Sequence, residues 1–120
     1  MKYMWIDGYC ISKKGVLKDY KPEWDATRYM VKDKMFVLQG ENKEGKPIIT
    51  VKLKPENGDF LRQQFKEITP GYYMNKEHWN SVYLEGNVPD EVLKEMIDES
   101  YQLIFESLSK KVQQEILSEE

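Results

Sequence analysis

The residues best suited to chemistry are concentrated in one stretch, residues 70–82. It holds the only histidine of the chain, His78, next to Trp79, together with Lys76, two tyrosines and two asparagines. Histidine can act as a general base or a metal ligand. Lysine and asparagine side chains can hold phosphates, and aromatic rings can stack on bases. This stretch is therefore the first candidate for a site.

The residues around His78 do not support catalysis or metal binding. A metal site needs several His, Cys or carboxylate ligands at suitable spacing, and a second soft ligand is missing here. A nucleophilic pair would need Cys10, the only cysteine, which instead falls on the apolar face of a predicted helix. Gly40, Gly45 and Gly58 form neither a dinucleotide-binding nor a P-loop pattern. We predict no enzyme, no catalytic residue, no metal and no cofactor.

Length and composition indicate a soluble protein with a single domain over residues 1–120. The chain is 40% hydrophobic and 32% charged, as in ordinary globular proteins. No apolar run approaches the roughly 18 residues of a membrane span. The first residues lack the apolar stretch of a secretory signal, and one cysteine fits a reducing compartment. We expect a cytoplasmic monomer without a membrane partner.

The charges are unevenly distributed along the chain. A net charge of −3 argues mildly against nonspecific nucleic-acid binding, which depends on neutralising phosphates. However, residues 27–54 carry seven basic and three acidic residues, and acidic residues dominate from Glu85 onward. One interpretation is a basic face on an acidic protein. The other is that these lysines keep exposed strand edges soluble.

The hydrophobic pattern predicts helices and strands in an order typical of an α+β fold. Residues 16–25 look like an irregular connection, because Pro22 discourages regular structure before it. Three helices are predicted, and the first covers residues 3–14. The second runs from Asn57 or Asp59 to Phe65, with Phe60 and Leu61 in its apolar stripe. The long final helix runs from Pro89 through Leu108 and is extended by Val112 and Ile116. The predicted strands cover residues 26–31, 34–39, 48–53 and 80–84.

The stretch at residues 70–82 also closely resembles the PGY-x-x-NK-x-HWN-[ST]-V signature of the MmcQ/YjbR family. These are small bacterial proteins with a frataxin-like fold, for which DNA binding through a "double-wing" motif has been proposed. Residues 9–16, 24–31, 34–36, 51–54 and 88–91 match the family in kind and order. The resemblance implies an antiparallel sheet with helices packed on one face, a two-layer sandwich. The signature residues are Pro70, Gly71, Tyr72, Asn75, Lys76, His78, Trp79 and Asn80.

Two functional hypotheses follow. The family resemblance favours a DNA-binding module that acts through a basic sheet or hairpin face. The acidic net charge favours a small-molecule or protein-binding domain with a cleft beside residues 72–80. The predicted nucleic-acid contacts are Arg28, Lys32, Lys34, Lys52, Lys54, Lys76 and His78.

The signature segment also has a structural interpretation. Asn75 and Asn80 would close backbone turns, and Trp79 would fill the core beneath the sheet.

Overall fold

The computed structural model describes residues 3–71 and 75–119. Within these ranges six strands form one sheet: β1 (Val16–Lys21), β2 (Ala26–Val31), β3 (Lys34–Glu41), β4 (Pro47–Lys52), β5 (Ile68–Pro70) and β6 (Trp79–Tyr83). The strand order is β1-β2-β3-β4-β6-β5, and every neighbouring pair is antiparallel. This confirms the predicted α+β class and antiparallel sheet.

The helices pack on one face of this sheet. They are α1 (Ile6–Ile11), α2 (Pro55–Gln64), α3 (Asp90–Ser107) and α4 (Lys110–Ser118). Side chains alternate between the two faces of a strand, and the register puts Tyr29, Val37 and Val51 side by side on the helix-covered face. All three are buried in one cluster with Leu93 and Ile97 of α3. We call the opposite side of the sheet the open face.

Two strands were not predicted. Residues 16–25 were expected to be irregular, but Val16–Lys21 pairs with β2 over its full length at the edge of the sheet. Its side chains are mostly exposed, so it lacks the apolar alternation that marks a strand. Ile68–Pro70 is only three residues long and is held by pairing with β6. Backbone pairing therefore defines both strands.

The long final helix was predicted as one element, and the structure divides it. The chain is extended at Leu108, and the hydroxyl of Ser109 accepts the backbone N–H of Val112 at 3.2 Å, which caps a new helix. The break turns α4 back towards the α1–β1 connection. There Ile116 is fully buried against Gly15, where a Cβ would lie 3.1 Å from the Ile116 side chain.

Helix α2 begins earlier than predicted. Pro55 occupies its first turn, where the fixed φ of proline suits a helix start, so neither Asn57 nor Asp59 is the cap. Leu61 and Phe65 pack against the core as expected, whereas Phe60 is 60% exposed and does not belong to the apolar stripe.

Candidate functional site

The signature segment connects β5 to β6. Of its residues, Tyr72 lies outside the described part of the chain, as does Tyr73. The Asn75 side-chain oxygen accepts the backbone N–H of Glu77 at 2.9 Å. Its carbonyl accepts the N–H groups of His78 and Trp79 at 3.2 and 2.9 Å. Asn75 therefore closes a turn, as one interpretation of the sequence predicted.

Asn80 ties β6 to α2. It is fully buried, its Nδ2 donates to the carbonyl of His78 at 3.2 Å, and its Oδ1 accepts a hydrogen bond from the Arg62 guanidinium. Gly58 of α2 faces it so closely that a Cβ there would lie 3.1 Å from the amide atoms. A buried amide with these partners stabilises the fold and leaves little capacity for a ligand.

Gly71 and Trp79 are in direct backbone contact. The Gly71 N–H donates to the Trp79 carbonyl at 2.6 Å, and a Cβ on Gly71 would lie 2.8 Å from the Trp79 Cβ. Trp79 pairs with Lys52 across β4 and β6 and is half-buried on the open face. It is therefore not part of the core between sheet and helices, contrary to the expectation.

A groove of about 890 Å³ lies over the open face beside this segment. Its floor is formed by Ile48 of β4 and by Ser81 and Tyr83 of β6, and Ile48 pairs directly with Tyr83. One wall is the β3–β4 loop, residues 42–46. The other wall comprises residues 66, 67 and 69–71, together with Lys76. The volume is within the range of ligand sites, about 300–1,000 Å³.

The groove carries an excess of positive charge. Among the described residues that line it, the basic ones are Lys43, Lys46, Lys66 and Lys76, and the acidic ones are Glu44 and Glu67. The Glu67 carboxylate accepts the backbone N–H of Asn87 at 3.2 Å. A concave site with like charges on its walls attracts ligands of the opposite sign.

Tyr83 is held in place on the groove floor. Its hydroxyl donates to the Glu85 carboxylate at 2.8 Å. This hydrogen bond raises the pKa of the phenol, and desolvation adds to the effect, while nearby Lys46 acts in the opposite direction. The ring therefore stays neutral and fixed beside a lysine.

Much of the protein's acidic charge lies in the helix layer, on α3. Helix α3 alone contains six acidic residues and one lysine, Lys94. The sheet separates this acidic layer from the lysines of the groove. A protein with a net charge of −3 thus has a basic groove on the open face.

The structure brings only some of the seven predicted nucleic-acid contacts together. Lys76 lines the groove, and Lys52 lies on the same face beside Trp79. Arg28 shares the open face, but its guanidinium is bound to both carboxylate oxygens of Asp19, at 2.8 and 2.6 Å. Much of the Arg28 charge is therefore already neutralised within the protein.

The other four lie away from the groove. At the β2–β3 turn, the Lys32 ammonium lies 3.5 Å from the Glu119 carboxylate. The Lys34 ammonium lies 3.2 Å from the Ser107 hydroxyl. Both partners are on the helix side of the sheet. Lys54 precedes α2, and its backbone N–H donates to Glu99 at 2.8 Å. His78 is half-buried, and its carbonyl accepts the N–H of Leu53 at 2.7 Å.

Three groove lysines were absent from the predicted site. Lys43 and Lys46 belong to the basic stretch seen in the sequence, but they lie in a turn and were not assigned to a site. Lys66 stands alone between α2 and β5. No local pattern marks it, because only the pairing of β5 with β6 brings it to the groove.

Two features are absent from the described residues, 3–71 and 75–119. None of their helices is long and apolar enough to cross a membrane. No three of their His, Cys, Asp or Glu side chains lie together in a way that could hold a metal ion.

The sequence model of the YjbR family matches residues 11–103. The chain belongs to the YjbR family. It is 37% identical over 94 residues to the uncharacterized protein YjbR of Escherichia coli K12, covering 78% of this chain and 79% of that protein. It is 33% identical over 97 residues to the uncharacterized protein YbdF of Escherichia coli O157:H7, covering 81% of this chain and 77% of that protein. The resemblance seen in the signature segment is thus confirmed.

Solved structures share the fold. The crystal structure of Deinococcus radiodurans DR2400, a DUF419 domain, matches with a TM-score of 0.81 and 27% identity, covering 92% of this chain and 84% of that one. The crystal structure of a protein from Pseudomonas syringae matches with a TM-score of 0.71 and 28% identity, covering 86% of this chain and 98% of that one. The six-stranded sheet with helices on one face therefore resembles architectures solved experimentally.

Proposed function

We propose that this YjbR-family protein binds DNA through the open face of its sheet and catalyses no reaction. The observation that carries the proposal is the basic groove. Four of its lining residues are lysines and two are glutamates, and the acidic helix α3 lies on the other side of the sheet. Binding to phosphates releases counterions, so a local group of lysines suffices even when the net charge is negative.

Lys66 and Lys76 are the best candidates for binding phosphates. Both are exposed, and neither forms an ion pair with a described residue. Their ammonium groups are therefore available, in contrast to the guanidinium of Arg28. Among the described residues, the groove lining contains no histidine or cysteine that would serve as a general base or nucleophile.

The test is a titration of labelled DNA, followed by fluorescence anisotropy at several salt concentrations. The double variant Lys66→Glu/Lys76→Glu should reduce the affinity about tenfold or more, because two attractive charges become repulsive. The matched control is Lys110→Glu/Lys111→Glu, which changes the net charge equally on exposed residues of α4. Equal reductions in both variants would show that the groove is not the binding site.

The concave shape of the groove favours one alternative, a small anionic ligand. The groove borders the signature segment at Pro70, Gly71 and Lys76, and the sequence analysis expected a cleft beside residues 72–80. Calorimetric titration with inorganic phosphate and with a nucleoside monophosphate separates the two functions. Tight binding of either compound, without measurable binding of DNA at low salt, would replace the DNA proposal with this one.

A further inference from the structure

We infer that the groove receives unpaired nucleotides, so that the protein prefers single-stranded DNA to duplex. This inference rests on the proposed function and specifies its ligand. A base would lie on the Tyr83 and Ile48 floor, and the phosphates on either side of it would meet lysines of the two walls.

The floor has the character of a stacking platform. Tyr83 is half-buried, its cross-strand neighbour Ile48 keeps only 9% of its surface exposed, and Pro70 adds apolar surface at the edge, so the Tyr83 ring is the main stacking surface. The hydrogen bond from the Tyr83 hydroxyl to Glu85 holds the ring before any ligand arrives, which lowers the entropic cost of stacking. Stacking of a base on an aromatic side chain is a recurrent mode of single-strand binding.

A duplex does not complement this floor. Its bases are paired and stacked on one another, so it presents phosphates and groove edges to a protein surface. A charged phosphate resting on the Ile48 side chain and the Tyr83 ring would lose water to an apolar surface, which is unfavourable, whereas the ammonium groups that can bind it stand on the walls of the groove. An unpaired base offers a flat apolar face of suitable chemistry instead.

The lysines stand on both sides of the floor. Lys46 belongs to the loop wall, and Lys66 and Lys76 to the opposite wall. The loop wall is preformed, because the Asn42 side chain accepts the N–H groups of Glu44 and Lys46 at 2.9 and 3.0 Å. A strand crossing the groove would therefore meet positive charge, then the platform, then positive charge again.

The floor offers few free hydrogen-bonding groups for reading base identity. The Ser81 hydroxyl is paired with the Thr50 hydroxyl at 2.8 Å, and both side chains are buried. The Tyr83 hydroxyl is engaged by Glu85. Binding should consequently depend weakly on sequence, because every base has a face that can stack.

The experiment uses the unaltered full chain first. A labelled single strand is displaced by the same strand unlabelled, by its duplex, and by an abasic strand of equal length. The abasic strand keeps the phosphates and removes the bases, so it should compete about tenfold less well. The duplex should also compete less well than the single strand at every salt concentration.

Variants then locate the effect. Tyr83→Leu should weaken single-strand binding about tenfold while leaving the salt dependence unchanged, because every lysine is retained. Tyr83→Phe keeps the aromatic ring but loses the hydrogen bond to Glu85, so it should bind more weakly than the wild type and more tightly than Tyr83→Leu. The control is Tyr20→Leu, since Tyr20 is 56% exposed on the edge strand β1 and lies outside the groove lining. Circular dichroism confirms the fold of each variant.

The outcomes separate the two proposals. If the duplex or the abasic strand competes as well as the single strand, the preference for unpaired nucleotides is wrong, while DNA binding stands. If no nucleic acid binds even at low salt, both proposals are wrong. The competition in the wild type decides the matter even if Tyr83→Leu fails to fold.

Discussion

The hydroxyl of Ser100 donates a hydrogen bond of 2.6 Å to the carbonyl of Phe36. The pairing of β2 with β3 shifts at this point: Tyr29 faces Val37 and Met30 faces Met35, which leaves Phe36 without a partner on β2. Such a bulge leaves backbone groups unpaired. A buried serine on α3 thus supplies the partner that the sheet lacks, and it joins the two layers.

Ser100→Ala should therefore destabilise the fold. The same hydroxyl accepts the backbone N–H of Lys52 at 2.9 Å, so its removal leaves two backbone groups without this partner. We expect a decrease of about 1–3 kcal/mol in the free energy of unfolding, measured by urea denaturation. Ser118→Ala, at an exposed position at the end of α4, is the control and should change stability little. Equal effects in the two variants would contradict the role of Ser100.

Gly71→Ala should also destabilise the protein. The added Cβ would lie 2.8 Å from the Trp79 Cβ and 2.9 Å from its carbonyl oxygen, so β5 and β6 must separate. A decrease of about 1–3 kcal/mol in the free energy of unfolding, typical of overpacking, is expected in urea denaturation. Gly8→Ala is the matched control. It lies in α1 with nothing within 4 Å of the new methyl group, and it should stabilise by about 0.5–1 kcal/mol.

The lysines that line the groove and those at the β2–β3 turn should differ in their effect on the salt dependence of binding. Lys66→Ala/Lys76→Ala should reduce the slope of log affinity against log salt by about 1 for each phosphate that is no longer neutralised. Lys32→Ala/Lys34→Ala should leave the slope unchanged, because these side chains reach Glu119 and Ser107 on the helix side. The reverse result would place the DNA at the β2–β3 turn. Anisotropy titrations at a series of salt concentrations measure both slopes.

The Asp7 carboxylate makes stability depend on pH. Hydrogen bonds from Lys18 at 2.7 Å and from the Tyr29 hydroxyl at 2.8 Å lower its pKa below the ordinary value. Because the folded-state pKa is the lower one, the stabilisation is present above the unfolded pKa and is lost as pH falls through the folded value. Asp7→Asn should flatten the acid limb of a plot of unfolding free energy against pH. Equal flattening in Asp33→Asn, which removes an exposed carboxylate of the β2–β3 turn, would contradict the role of Asp7.

Cys10 should be unreactive in the folded protein. The side chain is fully buried, as the sequence predicted, and burial raises the pKa of the thiol to about 12. Since the thiolate is the nucleophile, alkylation at mildly alkaline pH should be slow until denaturant exposes the residue. Mass spectrometry of iodoacetamide-treated protein, with and without urea, measures this. Rapid labelling of the native protein would show that α1 opens readily.

The sequence determined those features that depend on local pattern. Apolar side chains alternate in residues 26–31 and cluster in residues 34–39, and these patterns predict β2 and β3. The spacing of the apolar residues after Pro89 predicts α3. The signature around His78 and Trp79 indicated the family and with it the layer arrangement. The turn at Asn75 also follows from local chemistry, because an asparagine side chain can reach its own backbone.

The tertiary structure decided what depends on residues distant in sequence. Strand β1 exists because its backbone pairs with β2, and α4 is a separate helix because the break buries Ile116 against Gly15. The groove combines side chains of the β3–β4 loop, Ile48, the segment around β5, Lys76, Ser81 and Tyr83, which only the register of β4, β5 and β6 brings to one face. Hydrophobic periodicity is a property of neighbouring residues, whereas strand register and separation of charge between two layers depend on long-range pairing.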